Sequence, residues 1–263
     1  MAKQKGKFLR GVVGPVSFKV VRDEQIVTSR KAPGTTNQSE GTKASNKIFG
    51  KLSSLGASIR EIYAVNQGSY FDSSVNSRLT GTLRNILSAC QDKQTKVIKF
   101  KTKSFTNLVG FNFNDKARMD DFLSFKPRVS IKAGVLTVAF DSLTIAKQLK
   151  FPMKSFRCVV TIGVSKFNLT EGLLSRYAEN QGFEVLGNVE TVPAQTFSFN
   201  VPDGCLCLTR LSLEFFVVTK AGWKAVTEAK ANPSSICGAI YTSGKFLMAD
   251  PLDWCSNEKL RMF

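Results

Sequence analysis

The chain has 263 residues, 37 Lys plus Arg against 20 Asp plus Glu, a formal net charge of +17 and no histidine. The charge favours a polyanionic partner because the summed field attracts phosphate, and the missing imidazole removes the commonest general base and transition-metal ligand. A hydrophobic content of 43% is enough for a sizeable core, whereas apolar runs such as Leu211 to Val218, interrupted by Ser212 and Glu214, are too short to cross a bilayer.

In chain order, Lys3, Lys5 and Lys7 open the sequence as a signal peptide might, but Arg10 and Lys19 break the apolar stretch that a signal requires. A cytoplasmic or virion location is therefore expected, with no membrane segment. Leu9 to Val21 and Ile26 to Thr28 flank Asp23-Glu24-Gln25 and read as a hairpin. In its first arm Gly11 and Gly14 suggest a bulge or a close backbone approach, and Pro15 places the strand at a sheet edge or at its beginning. From Lys3 to Lys51 eleven basic residues face three acids, net +8. Within this segment Lys3, Lys5, Lys7, Arg10, Lys19, Arg22, Arg30 and Lys31 are the candidate phosphate contacts.

Ala32-Pro33-Gly34 breaks the chain, and a Thr/Asn/Ser-rich stretch then caps a helix with Ile48, Phe49, Leu52 and Leu55 at helical spacing. A second helix is expected near Leu55 to Val65. A third is expected over Ser73 to Cys90, where Val75, Leu79, Leu83, Ile86, Leu87 and Cys90 form one apolar stripe and Asp72 or Ser73 can cap it. Beyond Lys96 the period shifts to two. Strands are expected at Val97 to Lys101, Val129 to Ile131, Val135 to Phe140, Cys158 to Val164, Phe183 to Leu186, Phe197 to Val201, Leu206 to Val218 and Cys237 to Tyr241. Lys93, Lys96, Lys99, Lys101 and Lys103 form a lysine ladder; in a strand, Lys99, Lys101 and Lys103 would share a cationic face, serving as an edge guard or a phosphate contact.

No P-loop and no Gly-x-Ser-x-Gly elbow occurs, and any triad would lack its imidazole. Asp120-Asp121 and Asp23-Glu24 are adjacent acids of the kind found in turns and helix starts. The six cysteines contain no Cys-x-x-Cys pair, so neither a zinc site nor a disulfide scaffold is expected, and Cys205 and Cys207 read as small buried hydrophobes. Val109-Gly110-Phe111-Asn112-Phe113 resembles the aromatic strand of an RNA-recognition motif, but the element order of that fold does not follow, and Phe111 and Phe113 are expected in the core.

Gly11-Val12-Val13-Gly14-Pro15-Val16, followed by Ile26-Val27-Thr28-Ser29-Arg30-Lys31-Ala32-Pro33, resembles the opening of a family of uncharacterised Bacteroidota proteins. That family begins with a Gly-rich hairpin ending in Arg-x-x-Pro, continues with helices and finishes with a β-rich half. The match covers the N-terminal third and departs after Gln38, where the pattern has an arginine and the first basic residue here is Lys43. The resemblance implies an element order and carries no activity.

These readings predict a mainly β protein: a basic hairpin and helical segment over 1–92, then a β-sandwich of immunoglobulin-like or jelly-roll type over 93–263. The expected function is non-enzymatic, without cofactor or metal: a homo-oligomeric structural or assembly protein, such as a coat or nucleoprotein component, that contacts DNA or RNA independently of sequence. The alternatives are a monomeric nucleic-acid-binding accessory protein, an enzyme with an unfamiliar Lys, Ser or carboxylate site, or a carbohydrate- or protein-binding module using the C-terminal loops around Trp223 or Trp254.

Overall fold

In the computed structural model, which describes residues 2–30, 39–64, 72–95 and 97–262, three two-residue turns fold the N-terminal segment into an antiparallel meander. Its strands are β1 (Lys3–Lys5), β2 (Phe8–Val13), β3 (Val16–Val21) and β4 (Glu24–Ser29), hydrogen-bonded in that order. The expected single hairpin is thus a four-stranded sheet. Gly14 and Pro15 are not in a bulged strand: they are the turn between Val13 and Val16, with Gly14 at φ 52° and the proline ring fixing the next φ. The turn expected at Asp23-Glu24-Gln25 lies one residue earlier. Arg22 and Asp23 both take positive φ, 53° and 62°, between the paired Val21 and Glu24. That is the conformation a two-residue turn needs to match strand twist.

The chain divides into two compact units, Met1–Lys47 and Ile48–Phe263, with the boundary inside α1 (Glu40–Ala64). The Ser39 hydroxyl accepts the Thr42 amide at 3.2 Å and caps that helix. The two helices expected on either side of Leu55 are one, which runs unbroken through Gly50 and Gly56. Its buried stripe is Leu52, Leu55, Ile59 and Tyr63; Phe49 lies off it and is exposed. The Ala32-Pro33-Gly34 break and Val65 lie outside the described residues. In α2 (Val75–Cys90) the expected stripe is buried at Val75, Leu79, Leu83, Ile86 and Leu87. Its start is held by Asp72, whose carboxylate accepts the Ser74 amide at 2.8 Å and the Ser74 hydroxyl at 2.9 Å.

The larger unit is built on two long strands, β8 (Arg157–Asn168) and β13 (Leu206–Thr219), paired antiparallel from Phe167↔Leu206 to Arg157↔Phe216. Before them come β5 (Arg128–Lys132), β6 (Val135–Phe140), β7 (Leu143–Thr144) and the short helix α3 (Ile145–Gln148). Between them lie β9 (Leu173–Ser175), β10 (Glu179–Leu186), β11 (Thr191–Val192) and β12 (Gln195–Asn200). After them come β14 (Gly222–Ala225), β15 (Ser234–Tyr241) and β16 (Trp254–Ser256). The seven-stranded sheet runs β14-β13-β8-β9-β16, with β10 also paired to β8 and β15 to β13. A three-stranded sheet runs β12-β6-β5, and β7 pairs with β11. The protein is mainly β, with N-terminal strands and a curled C-terminal sheet.

Strand alternation sorts side chains onto two buried faces. Cys158, Val160 and Ile162 of β8 join Leu211, Leu213 and Phe215 of β13 in one cluster with Leu136, Val138 and Phe140 of β6. Phe167, Leu206 and Leu208 belong to the other, with the stripes of α1 and α2. The helices of residues 48–90 therefore share a core with strands of the β-rich half, and for that reason the compact unit begins at Ile48 and not at the change of element type near residue 92.

Candidate nucleic-acid interface

Ten Lys or Arg against three acids give Met1–Lys47 a net +7 of the chain's +17. The meander carries these charges on a sheet in which no described residue is buried. Lys3 pairs across the ladder with Arg10 and Lys5 with Phe8, so three cations and a ring share one face of the β1–β2 hairpin. Lys7 occupies its turn, with Nζ 5.1 Å from the Phe8 ring centroid. Lys19 pairs with Ile26 on the face that also holds Val12 and Ser17. Arg22 sits in the last turn and Arg30 follows β4, where its amide donates to Pro15 O at 2.6 Å. Lys3, Lys5, Lys7, Arg10, Lys19, Arg22 and Arg30 are exposed and form no ion pair among the described residues. Lys31 lies outside those residues.

The opposite face of the β2–β3–β4 ladder holds Val13, Val16, Phe18, Val20 and Val27 with Gln25 and Ser29, and no charged side chain. Val13 and Val27 are each more than half exposed. Gln25 fastens the sheet where β2 leaves β3. Its side-chain oxygen accepts the Leu9 amide at 2.7 Å, and its Nε2 donates to the carbonyls of Leu9 and Lys19 at 3.0 and 2.9 Å. In α1, Lys43, Lys47 and Lys51 recur every fourth residue and so fall on one helix face, a row that net charge alone does not single out. Lys43 pairs with Glu40 at 2.8 Å.

The lysine ladder is not a strand. Its one β feature among the described residues is the isolated bridge Gln91↔Ile98, and the chain turns at residues 102–105. The reason is local: Asp92 accepts the amides of Gln94 and Thr95 in a tight turn, and Ser104 Oγ takes the Lys101 amide at 2.8 Å. Alternation of exposure survives from Val97 to Lys101, with Phe100 turned in against Phe105 and Tyr241 at 4.9 and 5.4 Å, and stops at Thr102, which is exposed like Lys99, Lys101 and Lys103. Lys96 lies outside the described residues. The structure thus leaves these lysines at the surface but not in one sheet face, and they belong to the larger unit while the other candidates belong to the smaller.

Within the larger unit Phe113 is buried and Phe111 partly so, edge to face at 5.4 Å, as core residues. Asp120 and Asp121 lie in a 3-10 turn, and no group of three metal-binding side chains occurs among the described residues. Cys158, Cys205 and Cys207 are buried, and burial pushes the thiols of Cys207 and Cys237 up to about 12. At neutral pH they are protonated and poor nucleophiles. Trp223 is exposed on β14 beside Arg157, which also stacks on Phe216 at 4.9 Å. Trp254 packs edge-on to Phe246 at 4.9 Å.

One buried cation was not visible in the sequence. Arg210 is fully buried on the helix-covered face of β13, 5.0 Å from the Tyr63 ring, and donates from Nη1 to Tyr63 O at 2.7 Å. Its Nε and Nη2 have no partner among the described residues. Burial draws its pKa down, with the nearby Tyr63 acting the other way. Tyr63 donates to Leu208 O at 2.8 Å and lies 2.6 Å from Ser165 Oγ, joining helix to sheet.

No helix among the described residues is long and apolar enough to cross a membrane. No family model matches the chain, and no curated protein or solved structure matches it.

Proposed function

We propose that the chain is a non-enzymatic structural or assembly protein that contacts nucleic acid independently of sequence through its N-terminal meander, as a cytoplasmic nucleoprotein or virion coat component. The observation that carries this reading is the set of exposed, unpaired cations from Lys3 to Arg30 on a sheet with no buried residue. Flexible lysine heads on a polar ribbon neutralise phosphate without reading bases, and each contact releases counterions. The half-buried Phe8 and Val12 beside them add apolar area that stacked bases could cover. The seven- and three-stranded sheets contribute to one buried cluster, which supports reading the larger unit as a β-sandwich of immunoglobulin-like or jelly-roll type, the body through which copies would associate.

The test is fluorescence anisotropy of labelled single-stranded and duplex DNA and RNA across a salt series. The expected result is salt-dependent binding to all of them. Lys3→Gln, Lys5→Gln and Arg10→Gln together should lower the slope of log affinity against log salt by about 1 per lost contact. Lys220→Gln with Lys224→Gln, in the β13–β14 hairpin of the larger unit, should leave it unchanged. Absence of any complex at low salt removes the proposal. Light scattering on the same samples tests assembly, and a monomer at every concentration, with and without nucleic acid, leaves only the accessory-protein form of it.

A further inference from the structure

The most exposed large apolar side chains of the larger unit, Tyr177, Leu247 and Leu252, each about three-quarters exposed, line one groove of about 770 Å³ together with Trp254. Solvent-facing side chains of this size gathered at one concavity mark a binding site and not a solvated surface. The groove lies where the start of β10 faces the end of β12, two strands that belong to different sheets and are not paired with each other.

Two observations specify the ligand. The ionisable residues lining it are Lys166, Arg176, Glu179 and Asp253, which cancel, so this is an electrically neutral hollow in a chain of net +17. Lys166 is already ion-paired with Glu179. The lining as a whole offers a polyanion no net positive charge. The main-chain groups at its rim are also occupied: Asn200 O accepts Lys166 Nζ at 3.2 Å, Leu252 O accepts Arg176 Nε at 2.8 Å and Asp253 O accepts the Arg176 amide at 2.8 Å. An extended peptide adding as a strand would find no free backbone edge at those positions. What remains are two aromatic rings, the Tyr177 hydroxyl, the Nη groups of Arg176 and the side chains of Asn200 and Asp253, for which no hydrogen bond or ion pair is seen among the described residues.

We infer that this groove binds a neutral saccharide, whose alternating C–H faces and hydroxyl edges match aromatic rings flanked by amide and carboxylate groups. The groove shares no residue with the cationic meander, so either proposal can fail without the other.

Trp223→Phe leaves Trp254 as the single tryptophan, and its fluorescence reports the groove directly. Titration with cellohexaose, maltohexaose and chitohexaose is expected to give a saturable change with at least one of them, unaffected by added salt. Tyr177→Ala, at a position too exposed to threaten folding, should weaken it about tenfold. The inference is overturned if none of the three gives a saturable change, if Tyr177→Ala leaves the affinity intact, or if Trp254 responds only to a peptide digest or, salt-dependently, to a sulfated oligosaccharide.

Discussion

The N-terminal meander and the β8–β13 pair are both antiparallel ladders, yet they spend their side chains differently. No described residue of the meander is buried, whereas Leu206 to Leu213 in β13 are buried without interruption. Turn chemistry and register are sufficient to define a ladder, but stability comes from what covers it. The covered pair is therefore the structural centre of the larger unit, and the meander is a ladder with no buried residue on either face. The comparison breaks most directly under mutation. Phe167→Ala, at a fully buried position between β13 and the helices, should cost about 3–5 kcal/mol in urea denaturation. Val27→Ala in the meander should change stability by no more than about 0.5 kcal/mol. A comparable loss at Val27 would mean that the apolar face of the meander is covered in solution.

Arg210 sharpens the same contrast from the opposite side. In the meander, cations keep their water; here a guanidinium gives it up and recovers one hydrogen bond, to Tyr63 O. A buried charge without a counter-charge costs more in desolvation than a methionine of similar reach. Arg210→Met is thus expected to raise the denaturation midpoint, by about 1–3 kcal/mol equivalent. A lower midpoint would show that the guanidinium is better satisfied than its geometry among the described residues implies.

An intermediate effect is expected at Asp72. Burial raises its carboxyl, but the Ser74 amide and hydroxyl, the Arg78 guanidinium and the Asp115 amide outweigh that and hold it below the usual carboxylate range. The folded value lies below the unfolded one, so its stabilisation is present above about pH 4 and is lost as pH falls through the folded value. Asp72→Asn should cost about 1–2 kcal/mol at neutral pH, and the gap from the parent should close on acidification. A gap that persists in acid would assign the effect to helix-start geometry and not to charge.

Much of this architecture was legible where one period governs a long segment. The stripe of α2 and the strands β5, β6, β8, β10, β12, β13 and β15 follow from spacing alone, because burial on one or both faces imposes it. Legibility failed where local bonds decide. Asp92 and Ser104 turn the lysine ladder out of a strand, and Gly14-Pro15 splits an expected arm into two. It failed also where meaning depends on distant neighbours: Arg210 looks like any surface cation until β13 is placed under α1. Of the candidate site, the sequence located the cations but not the uncharged opposite face, which depends on cross-strand register. The groove around Trp254 depends on Tyr177 and Leu247 meeting across dozens of residues, which no spacing encodes.

The smallest effect is expected at the best-formed ion pair. Arg128 and Asp141 make two parallel hydrogen bonds of 2.7 Å, and those bonds hold the Asp141 carboxyl down and the Arg128 guanidinium up. Both side chains remain about 70% exposed. Water and salt therefore compete for each charge, and ordering two long side chains offsets most of the attraction. Arg128→Ala should leave the urea midpoint within error of the parent at physiological ionic strength. A shift that grows as salt is removed would show that the pair acts through charge, whereas a shift indifferent to salt would place its contribution in the packing of the arginine stem against β6. In either case exposure, more than bond geometry, separates this pair from Arg78–Asp72, just as it separates the meander from the β8–β13 core.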